Sequence, residues 1–490
     1  MSRKILFFNP YCYWPFHLEN ELDLIKKHIN LNESVHILIC NGELDPCDQT
    51  LEQGRNICTS CIYRRESAHK LLKIEKKINL KNIINLSSKD KHLISQILEA
   101  TKPQTLFSLK SVNYESFDIG MAVASSLISH LREPYPHLAH HQDLVNQLLY
   151  SSLGVYFSFK NHLREIRPDM VYIFNGRFAI LRAAVRACQN LDIKFQIHER
   201  AGVQNRYTLT ENTLPHDLNY IKREIDKVWS QSKFEHEEKN AQGSQWFEDR
   251  RAGKDQGWVS FTSTQNQQIK IDQQKINIVI FNSSEDEFEA IEGWKNPVYK
   301  NQNHGILKIA SDLKDDNNIN LYLRVHPNLT NVSNSQTLTL VKLRGKYKNF
   351  FLIEPNDKTS SYFLMDMADL VIVFGSTIGV ESAYHKKPVI LLGRSPYEDL
   401  GVCIVPKSHQ ELIQLIKSET KNSILNLLTS RETRSKAVRY GFYMSQTGIP
   451  FEFFKQEGVY SLTYNGKAIG YSQSPSILQR LLNKLKRIFS

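Results

Sequence analysis

Apolar runs of strand length recur along this chain, and most of them stop at a polar or glycine-containing loop. Near the start, residues 5–8 read as a strand, 18–29 as an amphipathic helix and 35–39 as a second strand. Residues 170–174 form another apolar run that ends at Asn175-Gly176-Arg177; 180–190 read as a helix, and Phe195-Gln196-Ile197 ends at His198-Glu199-Arg200. From about 233 to 275 the chain turns polar, with Trp246, Phe247, Trp258 and Phe261 as its only large anchors, which predicts a linker partly packed on a domain. The alternation then restarts. A strand at 276–281 ends at Asn282-Ser283-Ser284, a helix covers 305–313, and a strand at 321–325 ends at His326-Pro327. Further strands fall at 350–353, 370–374 and 389–392.

Alternating strand and helix predicts an α/β fold of two Rossmann-like doubly wound domains facing a cleft between the carboxyl ends of their sheets. The boundaries read as 1–265 for an N-terminal Rossmann-like domain with a Cys-rich loop at 40–61 and the polar linker at 233–275. A C-terminal ligand-binding domain follows at 276–430, then an extension at 431–490. Length agrees, because 490 residues exceed what one core ordinarily organises. A hydrophobic content of 41% describes a folded chain, and no run reaches the ~18 apolar residues a membrane span needs. The start lacks a signal-peptide layout, so the protein is expected in the cytoplasm. The net charge of +11 is scattered, which argues against nucleic acid and fits anionic small substrates or an anionic membrane surface.

The segment from Ala368 through Gly375-Ser376-Thr377 to Pro388 is a strand-turn-helix-strand unit. Its turn belongs at the carboxyl end of a parallel strand, where open α/β sheets bind ligands and where hydroxyls and amides face a phosphate. His326 projects from another strand end of the same domain, held extended by Pro327, and supplies a donor to the same crevice. Glu381, one helical turn beyond Thr377, falls on the crevice side, where a carboxylate suits the hydroxyls of a ribose; the alternative is a surface glutamate favoured by the helix dipole.

Cys40, Cys47, Cys58 and Cys61 form a cluster in which tetrahedral zinc, iron-sulfur ligation and free thiols all remain open. At the far end, 477–489 carries its apolar residues on one helical face and Arg480, Lys484, Lys486 and Arg487 on the other. Such a helix either lies on an anionic bilayer, making the protein peripheral at the inner face of the plasma membrane, or packs on its own protein.

Arg324-Val325-His326-Pro327, the stretch 367–389 and Gly393-Arg394-Ser395-Pro396-Tyr397 together resemble the nucleotide-sugar-binding half of GT-B glycosyltransferases, most of all bacterial capsule and surface polysaccharide biosynthesis proteins. The likeness extends to Phe281-Asn282-Ser283-Ser284-Glu285-Asp286-Glu287-Phe288 and more weakly to the loops at 175–177 and 198–200. The resemblance implies a nucleotide-sugar donor gripped by His326, Arg324, Gly375, Ser376 and Thr377, with Glu381 on the ribose. Transfer to a polysaccharide or lipid-linked oligosaccharide acceptor would then need no catalytic metal, because amides, Ser376, Thr377 and His326 replace it at the phosphate and no Asp-x-Asp pair lies in a suitable loop. One departure stands out: of the spaced glutamate pair that many retaining GT-B enzymes carry, Glu381 matches the second, while the first falls on Val373. Glycosyl transfer by a side-chain base would need that base in the first domain, where Glu199 with its neighbour His198 is the leading candidate and Arg177 a holder of anionic groups; an internal ion pair between the two loops is the alternative. A sugar-nucleotide 2-epimerase and a non-catalytic module of a polysaccharide assembly complex are the competing functions.

Overall fold

The computed structural model describes residues 2–254, 256, 269–417 and 430–470. The chain divides into two compact units, Met1–Pro215 with Gly448–Ser490, and His216–Thr447. The expected boundaries near 265 and 430 are corrected accordingly: the division falls ahead of the polar segment, and the chain after Thr447 returns to the first unit. The expected linker also differs, since much of it is the helix His236–Arg251, which follows the helix Leu218–Gln231. Only Gly243, Trp246 and Phe247 of the His236–Arg251 helix are buried. A Cβ on Gly243 would run into the Val438 carbonyl, and one on Gly441 into the Gly243 carbonyl. The helix therefore meets Arg431–Gln446 backbone to backbone, a packing that needs glycine rather than an apolar stripe. The 477–489 stretch, Trp258 and Phe261 lie outside the described residues.

In the first unit, β1 (Lys4–Asn9), β2 (Ser34–Ile39), β3 (Ile78–Asn82), β4 (Met170–Phe174), β5 (Phe195–Arg200) and β6 (Arg206–Glu211) lie in the order β6-β5-β4-β1-β2-β3. The strands from β3 to β5 are parallel, and β6 is antiparallel to β5. All of β4 and all of β1 beyond Lys4 are buried, as a parallel sheet covered on both faces requires. The chain proceeds from β1 to one side of the sheet and returns at β4 on the other, so the topological switch point lies between β1 and β4.

The second unit holds β7 (Ile276–Phe281), β8 (Ile319–Arg324), β9 (Phe350–Ile353), β10 (Leu370–Val373) and β11 (Val389–Leu391) in the order β11-β10-β7-β8-β9, all parallel. Alternation along the strands shows the double winding directly. Ile278 and Ile280 join one core with Leu321, Leu323 and Ile372, while Val279 and Phe281 join the other with Tyr322, Val371 and Val373. Here the switch point lies between β7 and β10. Two Rossmann-like units are thus established, each with its own crevice position.

After the second unit, β12 (Ile449–Pro450) extends the first sheet beside β6, and β13 (Phe454–Gly458), β14 (Ser461–Tyr464) and β15 (Lys467–Ala468) form an antiparallel ribbon. Phe454 and Leu462 of the ribbon share a core with Phe7, Ile37 and Tyr207, which explains why the chain comes back.

A charge cluster ties two helices of the first unit. Asp118, at the N-terminus of Ile119–Leu131, accepts from Arg186 Nε at 2.7 Å and Arg182 Nε at 3.0 Å, both on Ala179–Asn190. Burial opposes the Asp118 charge, but the hydrogen bonds from Arg186 and Arg182 outweigh it and hold the carboxyl at about 2. Because the folded-state value is depressed, the stabilisation is present above the unfolded value near 4 and is lost as pH falls towards 2. Urea titrations should show Asp118→Asn destabilised by about 1–2 kcal/mol at pH 7, with the gap to wild type closing below about pH 3.5. A gap independent of pH would show that the charge contributes nothing.

Candidate functional site

In the second unit the loops that follow β7, β8 and β10 are bonded to one another. Asn282, directly after β7, accepts the His326 amide at 2.9 Å on Oδ1, and the Ser283 hydroxyl donates to the Phe374 carbonyl at 2.9 Å. The β7 loop is itself clamped by two buried glutamines. Gln302 Oε1 accepts the Ser283 amide at 2.9 Å, and Gln336 accepts the Glu285 amide at 3.0 Å while donating to the Ser283 carbonyl at 2.8 Å. His326 and the Gly375-Ser376-Thr377 turn thus flank one rigid loop at the switch point. The Asn328 amide donates to His326 Nδ1 at 3.2 Å, which leaves the proton of a neutral imidazole on Nε2. A half-buried ring in that tautomer presents an N–H donor.

Gly375 takes a φ of 91°, and a Cβ there would lie 2.7 Å from the Arg394 carbonyl oxygen. Tyr397 Oη donates to the Ser376 carbonyl at 2.5 Å, locking the turn from behind. Gly375 and Ser376 are half-buried and Thr377 is exposed, so the turn offers two hydroxyls and its backbone at the surface of the unit. That is a cradle for an anionic, oxygen-rich group.

Two expected members of this site lie elsewhere. Arg324 is 2% exposed, and its guanidinium donates to the Glu354 and Asp357 carbonyls, bracing the loop after β9. Glu381 is also 2% exposed: Oε1 lies 3.1 Å from Arg250 Nη2 and Oε2 accepts from Tyr362 Oη. Its helical position is as expected, but the carboxylate turns into the core, because the helix that carries Arg250 occupies the space expected to be open. Asn282, Gln302, Gln336 and Tyr397 were missed as organisers; the signal for Asn282 was a polar side chain directly after an all-apolar strand.

In the first unit one of the three expected residues, His198, parts from the other two. Consecutive residues of β5 face opposite sides, so His198 and Glu199 cannot act side by side. His198 is fully buried, its Nε2 lies 3.1 Å from Glu21 Oε1, and Glu21 also accepts from Asn9. Buried in this way, His198 meets no substrate, and its expected catalytic place is corrected to an internal one. Glu199 instead accepts from Asn175 Nδ2 at 2.5 Å, and burial pushes its carboxyl up against the pull of that bond. Arg177 stacks on Phe178 at 4.5 Å, and its amide donates to Asn175 Oδ1 at 3.0 Å. Glu199, Asn175 and Arg177 therefore gather at the ends of β4 and β5, next to the β1–β4 switch point. His17 joins them from the β1 side, its ring 3.7 Å from that of Phe174, with burial first and then His198 and Arg200 keeping it neutral. His17 and Glu21 were missed because 18–29 reads as a plain amphipathic helix, and only the fold shows that Glu19, Asn20, Glu21 and Asp23 are all buried.

Among the described residues no three His, Cys, Asp or Glu side chains are placed to hold a metal ion. The four cysteines expected as one ligand set lie near one another without converging as ligands. Cys40 Sγ accepts the Gly42 amide, Cys47 starts the helix Asp48–Gln53, and Cys58 and Cys61 lie on the helix Ile57–Leu72. Cys61 pairs instead with Cys12, whose amide donates to Cys61 Sγ at 3.2 Å.

Residues 195–443 match the family model described as capsule polysaccharide biosynthesis protein, just over half of the chain. No match to a curated protein sequence was found. Among solved structures, the β-Kdo 2,4 transferase KpsC of Thermosulfurimonas dismutans is 11% identical, with 54% of this chain and 78% of that one covered and a TM-score of 0.33. The UDP-GlcNAc 2-epimerase of Neisseria meningitidis is 13% identical (90% and 98% covered, TM-score 0.27). The glycosyltransferase SnogD of Streptomyces nogalater is 10% identical (92% and 98% covered, TM-score 0.25). Likenesses this distant carry no functional weight.

Proposed function

The chain belongs to the capsule polysaccharide biosynthesis protein family, and from that premise we propose that it is a GT-B-type glycosyltransferase. It would move a sugar from a nucleotide-sugar donor to a capsule-type polysaccharide or its lipid-linked precursor. The observation that carries this reading is the bonded set of loops after β7, β8 and β10, which sets His326 and the Gly375-Ser376-Thr377 turn around one switch point. The donor's phosphate would sit against Ser376, Thr377 and the turn backbone, with His326 Nε2–H on an oxygen. These groups would stabilise a leaving nucleotide phosphate by hydrogen bonds without a divalent ion, which makes metal-independent transfer part of the proposal. In the first unit Glu199, its carboxyl pushed up by burial, is the candidate base for the acceptor hydroxyl, with Arg177 beside it for an anionic sugar. Placement at an anionic membrane surface through 477–489 remains part of the same proposal.

Calorimetry with uridine diphosphate, guanosine diphosphate and cytidine monophosphate tests the donor site. One of them is expected to bind, and His326→Ala is expected to weaken it by about 1.5–3 kcal/mol, on the order of ten- to a hundredfold, with the melting temperature unchanged. Absence of nucleotide binding, or conversion of a sugar nucleotide in the absence of any acceptor, would overturn the reading.

A further inference from the structure

The cysteines that the proposed activity leaves unused include one cross-element pair. Cys12 lies between β1 and the helix His17–Asn30, and Cys61 lies on Ile57–Leu72. The Cys12 amide donates to Cys61 Sγ at 3.2 Å, and Arg64, one helical turn beyond Cys61, donates to the Cys12 carbonyl at 2.7 Å. Arg64 is also ion-paired to Glu19, on the helix that follows the Cys12 loop. Both backbone polar groups of Cys12 are therefore tied to the Cys61 helix. The Cys12 and Cys61 side chains also interact directly, so the two sulfurs are already neighbours.

We propose that Cys12 and Cys61 form a thiol modification site that closes to a reversible disulfide by exchange with a low-molecular-weight disulfide such as oxidised glutathione. Cys61, half-buried, is the entry point, whereas Cys12 is sealed at 2% exposure. The hydrogen bond with Cys12, aided by Arg65, brings the Cys61 thiol down to about 7. Its thiolate attacks one glutathione sulfur, breaks that S–S bond and releases a glutathione thiolate. Cys12 then attacks the Cys61 sulfur, and the second glutathione leaves as a thiol that carries off the Cys12 proton. Two protein thiols are oxidised and one glutathione disulfide becomes two thiols.

Closure reaches the β1–β4 switch point. In the reduced protein the Cys12 thiol donates to Asn9 Oδ1 at 2.7 Å, Asn9 donates to Glu21, and Glu21 holds His198. Oxidation removes the first donor of that chain, so the redox state of the pair is transmitted to the loops carrying Asn175 and Glu199. This inference does not depend on the activity proposed above.

The full-length reduced protein should be incubated with oxidised glutathione without oxygen, alkylated with iodoacetamide, and read by intact mass and peptide mapping. The expected result is five carbamidomethyl groups instead of seven on a chain that is itself about 2 Da lighter, a Cys12–Cys61 cross-linked peptide, and reversal by dithiothreitol. Cys12→Ser should stop at a stable glutathione adduct on Cys61, whereas Cys58→Ser should close as wild type does. A Cys58–Cys61 link, a stable adduct on Cys61 in the wild type, or seven alkylated cysteines after treatment would each overturn the proposal. If Cys12→Ser fails to fold, the wild-type peptide map alone still decides.

Discussion

Replacing Gly375 with alanine is expected to weaken nucleotide binding by at least about tenfold while leaving the rest of the second unit folded. Two costs combine at this position. At a φ of 91° an L-residue is strained by about 1–2 kcal/mol relative to glycine. The added Cβ would also lie 2.7 Å from the Arg394 carbonyl oxygen, and that atom is backbone. It cannot step aside as a side chain would, because Gly393 is packed just as closely: a Cβ there would meet Phe374 C at 2.8 Å and Gly375 N at 3.1 Å. The turn must therefore move, carrying Ser376 and Thr377 away from His326. Gly345→Ala is the control, with a φ of 66° and nothing within 4 Å of its added Cβ. It should show the conformational cost and no change in nucleotide affinity. Equal affinity in Gly375→Ala and wild type by calorimetry would detach the turn from the donor site.

That turn was legible in the sequence because everything that makes it is local. Leu370 to Val373 is an uninterrupted apolar run, Gly375 is the one residue type that takes such a φ freely, and Lys387-Pro388 returns the chain to β11. The same holds for Asn282 after β7 and His326 after β8, so each strand end of the second unit could be named before its neighbours were known. What stayed hidden depends on partners far along the chain. The helix His236–Arg251 reads as polar linker because its contact with Arg431–Gln446 uses Gly243 and Gly441, which have no side chain to register as apolar. The burial of Glu19 and Glu21 depends on Arg64 and His198, and the Cys-x-x-Cys spacing at 58–61 suggested a shared ligand where the true neighbour of Cys61 is Cys12. Strand order, too, is non-local: nothing near β12 announces that it will sit beside β6.

Glu381→Ala is expected to destabilise the second unit by about 1–3 kcal/mol, because it removes a buried carboxylate that accepts from Tyr362 and pairs with Arg250, whose side chain is 36% exposed and so partly solvated. The carboxylate is 2% exposed and joins three elements: its own helix Ile378–Tyr384, Tyr362 on Ser361–Met367 and Arg250 on His236–Arg251. Without it the Arg250 guanidinium loses this ion-pair partner, and the Tyr362 hydroxyl loses its acceptor. Glu381→Gln keeps the shape and an acceptor for Tyr362 but removes the charge, so it should lose less. The double variant Glu381→Met with Arg250→Met should recover most of the loss, since a pair replaced whole by apolar side chains leaves no orphaned charge. Urea unfolding of the four proteins gives the order, and nucleotide affinity of the folded variants separates two roles for this residue. A ribose contact predicts that Glu381→Gln loses affinity at unchanged stability; an internal brace predicts lower stability at unchanged affinity once the protein is folded. The bonds to Arg250 and Tyr362 favour the brace, because they tie three helices of the second unit through one buried carboxylate.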